Sequence, residues 1–150
     1  MNICDKLNRE LLINNGFVYR RRGWYRRTED FLQIINFQKS YWGNQYYINI
    51  GEDLVSMNTN GSIIYPPENQ FHLRGRVEDI TVSDDSLDCL DFENSMIESE
   101  RMHKMTSLID NCISFLNRIQ KKDGLKQEYK SSDNLNNFMI YSNILSIIEE

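Results

Sequence analysis

Two alternating segments around a short turn restrict the fold of this chain more than any other feature. Residues 31–40 and 45–51 predict the strands of a β-hairpin, with residues 41–44 as its loop. A four-residue loop places Ser40 opposite Gln45, and a slip of one residue would mix amides into the apolar face. The face predicted to be buried carries Ile35, Phe37, Ile48 and Ile50, and the opposite face carries Asn36, Gln38, Tyr47 and Asn49.

Further strands are predicted on both sides of this hairpin. Residues 17–21 and 24–27 flank Arg22-Gly23, a pair suited to a tight turn because glycine accepts positive φ. Residues 71–77 also alternate. One side of that strand carries His72, Arg74 and Arg76, and the other carries Phe71, Leu73, Gly75 and Val77. Successive strands joined by short connections predict an antiparallel meander.

Helices are predicted before and after the strands. Apolar residues recur at helical spacing over residues 3–12, and again over 105–119, where Asp123-Gly124 is expected to end the helix. A last helix is predicted over 135–148. The order of helix, meander and helices predicts an α+β fold, with the C-terminal helices packed on one face of the sheet.

The composition fits one domain over residues 1–150, with a mass of 17.9 kDa. Apolar runs fall short of the roughly 18 residues that a membrane span needs, and the N-terminal residues lack the apolar core of a secretory signal. Cys4, Cys89 and Cys112 are widely spaced and form no C-x-x-C pattern. We therefore expect reduced thiols in a cytoplasmic protein.

Sequence motifs for catalysis, cofactors and metals are missing. The chain has no G-x-S-x-G elbow and no glycine-rich phosphate loop, and His72 and His103 lie far from the cysteines. We expect no catalytic residue, no cofactor and no metal. An enzyme with an unrecognised site around His72 is an alternative, which a pocket shared with Asn36 and Arg74 would favour; a histidine beside arginines is more often a surface residue.

Charge is distributed unevenly within a net charge of −5. Residues 16–40 carry six Lys/Arg and two acidic residues, whereas residues 77–100 carry nine acidic residues and no Lys/Arg. Residues 78–93 lack periodicity and are predicted to be loop. The two charged segments either neutralise each other and are solvated, or one of them faces a charged partner and steers its approach.

Several motifs occur in a distinctive order along the first half of the chain. These are GFVYR and WYRR in residues 16–27, INFQKS in 35–40, YINIG in 47–51 and HLRGR in 72–76. Together they resemble a family of small, mostly bacterial domains of unknown function, over about residues 6–80. The resemblance implies a single α+β domain and brings no activity or catalytic residue with it.

The arginine-rich hairpin is one candidate binding surface. Arg26 and Arg27 close a run of five arginines that is interleaved with Tyr19, Trp24 and Tyr25. Such side chains neutralise phosphates and stack on bases, so nucleic-acid or other anion binding is one interpretation. The acidic pI of about 5.1 favours the alternative, a solvated hairpin whose charges prevent edge-to-edge pairing.

The polar face of the sheet is the second candidate surface. Arg74 and Arg76 would join its amides if their strand lies alongside and presents the same face. The combined set is Asn36, Gln38, Tyr47, Asn49, Arg74 and Arg76. Amides and guanidinium groups recognise a carboxylate, a phosphate or the backbone of a partner. The competing interpretation is a ladder of amides that bond only to one another.

These patterns favour a non-catalytic cytoplasmic protein that binds a protein partner. An immunity-type role, in which the acidic segment 77–100 covers the basic active site of a toxin domain, is one concrete version. No membrane partner is expected. The alternatives are nucleic-acid or anion binding through the arginine-rich hairpin, and catalysis around His72.

Overall fold

A computed structural model of the chain describes residues 1–80 and 84–150. The helices are α1 (Ile3–Asn14), α2 (Glu98–Arg118), α3 (Lys122–Ser131) and α4 (Ser142–Ile148). The strands are β1 (Val18–Arg20), β2 (Gly23–Arg27), β3 (Phe31–Lys39), β4 (Tyr46–Leu54), β5 (Leu73–Arg76) and β6 (Met139–Ile140). Short 3-10 turns occupy Glu68–Gln70, Val77–Asp79, Asp84–Leu90 and Asn134–Asn137.

The six strands form one antiparallel sheet in chain order, β1 to β6. The predicted hairpin register is confirmed, since Ile35 pairs with Ile50 and Asn36 pairs with Asn49. The predicted α+β architecture is confirmed as well. The sheet ends at β6. The helix predicted over residues 135–148 is therefore wrong in its first half, which forms a 3-10 turn and this strand, and only Ser142–Ile148 is helical.

Helix α1 is tied to the sheet by its first turn. The side chains of Asn2 and Asp5 each accept a hydrogen bond from the other residue's backbone N–H, forming a capping box. The second oxygen of the Asp5 carboxylate accepts a 3.0 Å hydrogen bond from the indole Nε1 of Trp24 on β2. The chain leaves the helix through Gly16, whose φ of +88° suits a residue without Cβ.

The helices cover one face of the sheet, which we call the inner face. Ile35, Phe37, Ile48 and Ile50 are buried there, as predicted. Helix α2 packs on them with Met105, Leu108, Ile109, Cys112, Phe115 and Leu116. Complete burial of each large apolar side chain stabilises the fold by roughly 1.5–3 kcal/mol.

The outer face of the sheet is divided into two halves. One half carries a small apolar cluster of Tyr25, Leu32, Ile34 and Phe71, covered by Val55, Ile63 and Tyr65 of the β4–β5 connection. Phe71 was predicted to share a face with Leu73. It lies on the opposite face because β5 starts only at Leu73, so strict alternation does not reach back to Phe71. The other half of the outer face remains open and polar.

Three further local predictions are wrong. The first turn consists of Arg21 and Arg22 rather than Arg22-Gly23, so that Gly23 is the first residue of β2. Asp123-Gly124 does not end α2 but lies in the first turn of α3. The acidic stretch 78–93 is not uniform loop, since it contains 3-10 turns; residues 81–83 lie outside the described part of the chain.

Candidate binding groove

The open half of the outer face forms a groove of about 690 Å³. The turn between β1 and β2 borders one side, and β5 and the segment around Glu68 border the other. The polar side chains that line it are Arg21, Arg22, Asn36, Gln38, Asn49, Glu68, Asn69, Arg74, Arg76, Asp79 and Asn137. We call this surface the arginine groove.

The floor of the arginine groove is a ladder of amides. The Asn49 side-chain amide donates hydrogen bonds to Asn36 Oδ1 at 3.0 Å and to Gln38 Oε1 at 2.9 Å. Asn36 Nδ2 in turn donates to the backbone carbonyl of Arg22 at 2.9 Å. Asn49 is only 4% exposed, so these bonds keep its amide paired. The ladder therefore gives the groove a rigid floor and fixes the turn above it.

Arg21 and Arg22 reach the groove through an unusual backbone conformation. Their φ angles are +46° and +67°, and both central residues of a two-residue hairpin turn need positive φ to match the twist of the strands. Non-glycine residues in the left-handed region carry roughly 1–2 kcal/mol of strain each. The turn is thus a strained feature located beside a candidate site, where such strain tends to occur.

Arg74 and Arg76 approach from β5, which pairs with β4 so that Arg76 lies opposite Asn49. The Arg76 guanidinium stacks 4.2 Å from the ring centre of Tyr47. Planar stacking on an aromatic ring orients a guanidinium while leaving its N–H edge able to donate. Arg74 Nη2 lies 3.4 Å from the Met139 sulfur, a weak contact. Arg76 is therefore oriented by its stacking on Tyr47, and Arg74 is held weakly by Met139.

Two acidic residues lie among the arginines. Asp79 accepts a 2.8 Å hydrogen bond from the Arg76 backbone N–H. Burial raises the pKa of Glu68, and the positive charges of Arg74 and Arg76 oppose that rise. Four guanidinium groups against two carboxyl groups leave the groove positive within a chain that is negative overall.

The predicted binding residues separate into two groups in the structure. Asn36, Gln38, Tyr47, Asn49, Arg74 and Arg76 share the open half of the outer face. Arg26 instead points to the inner face, where it bonds to Gln33 Oε1, Asn117 Oδ1 and the carbonyl of Asn15. Arg27 is exposed at the end of β2 and does not line the groove.

Arg21 and Arg22 were missed as site residues, although they belong to the same arginine run. Placing the turn one residue too late assigned Arg21 to a strand. A two-residue turn preceding Gly23 would have shown that both arginines stand at the tip of the hairpin, beside the amide face.

His72 lies in a different cavity of about 470 Å³, with Asp53 and Tyr141 in its wall. Its Nδ1 is 3.4 Å from an oxygen of Asp53 and 2.7 Å from Nδ2 of Asn143, and its ring stacks on Tyr141 at 5.0 Å. Burial raises the pKa of Asp53. The pocket that would combine His72 with Asn36 and Arg74 is not formed, so the structure separates the components of the alternative catalytic site.

The described residues contain no candidate metal site and no helix that could span a membrane. No group of three or more His, Cys, Asp or Glu side chains in residues 1–80 and 84–150 could hold a metal ion. None of the helices in those ranges is long and apolar enough to cross a membrane.

Comparison with known proteins identifies a family but no relative of known activity. No curated protein and no solved structure gave a significant match to the chain. A family model described as "Domain of unknown function (DUF4304)" matches residues 8–137. The match extends the resemblance from the hairpin motifs through α2 and α3. The chain belongs to this family of unknown function.

Proposed function

We propose that this chain is a non-catalytic binding protein that recognises a protein partner by receiving an anionic group in the arginine groove. One observation carries the proposal: Arg21, Arg22, Arg74 and Arg76 converge on one groove in an otherwise acidic protein. Guanidinium groups form bidentate, charge-assisted hydrogen bonds with carboxylates and phosphates.

The geometry of the groove favours arginines that bind a ligand over arginines that only contact water. The amide floor is rigid, Arg76 is oriented by Tyr47, and the turn that carries Arg21 and Arg22 is fixed by Asn36. Such preorganisation reduces the conformational entropy lost on binding. The groove volume of about 690 Å³ also lies within the usual range for a ligand site.

Fluorescence polarisation with a labelled oligoglutamate peptide tests the proposal. Binding at low salt should weaken as salt rises, and Arg74→Glu/Arg76→Glu should lower the affinity by about tenfold or more. Arg27→Glu/Lys130→Glu is the matched control, since it also reverses two exposed positive charges, both outside the groove. Absence of binding at low salt, or an equal loss in this control variant, would refute the proposed groove.

Nucleic-acid binding through the hairpin is the alternative that the same assay decides. A labelled oligo(dT) that binds more tightly than the peptide, with a steep salt dependence, would favour it. Glu68 and Asp79 within the groove argue for a short acidic segment, because a phosphodiester chain carries a negative charge at each nucleotide.

Neutralisation of a toxin domain is a second candidate function and uses a different surface. Glu93, Glu98 and Glu100 are exposed within the acidic segment, and Glu93 lies directly beneath the β3–β4 loop. In this second candidate function the carboxylates of the acidic segment cover the basic active site of the toxin domain. Co-purification from the native host at low salt tests it, because Glu98→Lys/Glu100→Lys should release the captured basic protein. Unchanged recovery by this variant would exclude the role of the acidic surface.

A cytoplasmic location is part of the proposal. Cys4, Cys89 and Cys112 are buried, and burial raises the pKa of Cys4 to about 12 and of Cys89 to about 11. Buried thiols of this kind are unreactive and suit a reducing compartment.

A further inference from the structure

The arginine groove continues toward the tip of the β3–β4 hairpin. A second cavity, of about 470 Å³, shares Arg22, Asn36 and Gln38 with the groove. Lys39 and Tyr41 line its far side. One continuous surface therefore leads from β5, across the amide ladder, to the loop that carries Tyr41. A ligand that follows this surface is larger than the groove alone would hold.

Two aromatic side chains project from this loop almost entirely into solvent. Tyr41 is 98% exposed and Trp42 is 94% exposed. Tyrosine and tryptophan are the residue types that most often dominate protein interfaces, since they bring large contact areas with few rotatable bonds. Their exposure beside a lined cavity points to a macromolecular contact rather than to a small anion alone.

The loop that presents these rings is held in place. The Trp42 N–H donates to Ser40 Oγ at 3.1 Å, and the Asn44 N–H donates to Glu93 Oε1 at 3.0 Å. The Phe92 N–H donates to the Asn44 carbonyl at 3.0 Å. A loop that is hydrogen-bonded on both sides loses little conformational freedom when a partner packs against it.

We propose that an acidic, extended segment of a partner protein lies along this surface, with carboxylates at the arginine groove and an apolar side chain against Tyr41. The inference rests on the proposed function and names the class of its partner. Charge complementarity selects the occupant, because Arg21, Arg22, Lys39, Arg74 and Arg76 line the two cavities.

The acidic residues along the same surface favour a polypeptide over a nucleic acid. Glu68 and Asp79 line the groove, and Asp5 lines the second cavity. A peptide can place neutral residues opposite these three positions, whereas a nucleic-acid strand would bring phosphates to them. Asparagine and glutamine along the path can also bond to a peptide backbone.

Selection from a library of random peptides on the immobilised full chain tests this inference. We expect enriched peptides to combine Asp or Glu with an aromatic or aliphatic residue. The affinity of one enriched synthetic peptide should fall about fivefold or more with Tyr41→Ser, and should be lost with Arg74→Glu/Arg76→Glu. Tyr129→Ser, which changes an exposed tyrosine on α3, is the matched control and should have no effect.

The outcomes separate this inference from the proposed function. Acidic peptides that depend on the groove arginines but not on Tyr41 would overturn the inference and leave the groove intact. Enrichment of basic peptides, or of none, would overturn both. Tyr41-dependent binding of oligo(dT) in place of the peptide would also overturn the inference, by assigning the surface to nucleic acid.

Discussion

Gln33 Nε2 donates a 2.7 Å hydrogen bond to Oε1 of Glu52, and both side chains are completely buried on the inner face. The same Gln33 amide donates to the carbonyl of Leu116 at 2.7 Å, and its oxygen accepts two hydrogen bonds from Arg26. This polar network joins the middle of the sheet to the end of α2. It is separate from the arginine groove, on the other side of the sheet.

Glu52 makes the stability of the protein depend on pH. Burial raises its pKa well above the usual 4.5, and the Gln33 hydrogen bond and the charge of Arg26 only partly oppose the rise. Above pH 4.5 the unfolded chain loses this proton while the native state retains it, so the unfolding free energy falls as pH rises toward the native pKa.

Glu52→Gln removes this dependence. Urea denaturation should show the variant gaining stability relative to the original chain as the pH rises above 4.5, the ordinary pKa of a glutamate. The exposed Glu10→Gln is the control and should follow the original chain. Parallel pH profiles for Glu52→Gln and the original chain would contradict the assignment of a buried, protonated carboxyl group.

Arg26 is a structural residue, in contrast to the binding role that its sequence context suggested. It bonds to Gln33 and Asn117 and stacks 4.6 Å from the ring centre of Phe17. Arg26→Ala should therefore lower the unfolding free energy by about 1.5–3 kcal/mol. Arg27→Ala should change it by less than about 0.5 kcal/mol. Equal destabilisation by the two variants, measured in urea, would argue against this network.

The strained turn predicts that relieving its strain raises the stability of the protein and lowers its affinity for the ligand. Arg21→Asn/Arg22→Gly introduces the residues that a turn with two positive φ angles prefers. The melting temperature should rise, with a gain of roughly 1 kcal/mol, while the affinity for oligoglutamate falls. A variant that gains stability and keeps full affinity would show that the turn arginines do not contact the ligand.

Gly124 is required by close packing between helices. A Cβ at this position would lie 2.1 Å from the backbone carbonyl oxygen of Arg118, too close for any side chain. Gly124→Ala should therefore destabilise the chain by about 2 kcal/mol or more, although alanine favours helices. Lys130→Ala, at an exposed position of α3, is the control. A neutral or stabilising Gly124→Ala in thermal denaturation would contradict this packing.

The sequence predicted the central hairpin correctly because one face of the sheet is buried. A one-residue slip would have moved Ile35 and Phe37 to the outer face, so the alternation determined the register. The same reasoning placed Asn36 beside Asn49, and Arg76 joins them because β5 pairs with β4. Local patterns therefore sufficed where strand pairing follows chain order.

The remaining features depend on contacts between distant segments. Gly124 resembles a helix terminator in sequence. In the structure its lack of a side chain allows the start of α3 to pack against the backbone carbonyl of Arg118. Strand β6 has only two residues, Met139 and Ile140, and pairs with β5 across a long separation in the chain. Arg26 lies outside the candidate site because it bonds to Gln33, which is buried on the inner face. No short-range pattern in the sequence contains these contacts.

Titration of the arginine Nε–Hε resonances by NMR tests the central claim most directly, with pyrophosphate as the probe. If the groove binds the anion, the signals of four arginines should shift together and saturate at one concentration, while that of Arg27 stays in place; the four are Arg21, Arg22, Arg74 and Arg76. Shifts spread evenly over exposed arginines, or shifts absent from the groove, would contradict an anion-binding site there.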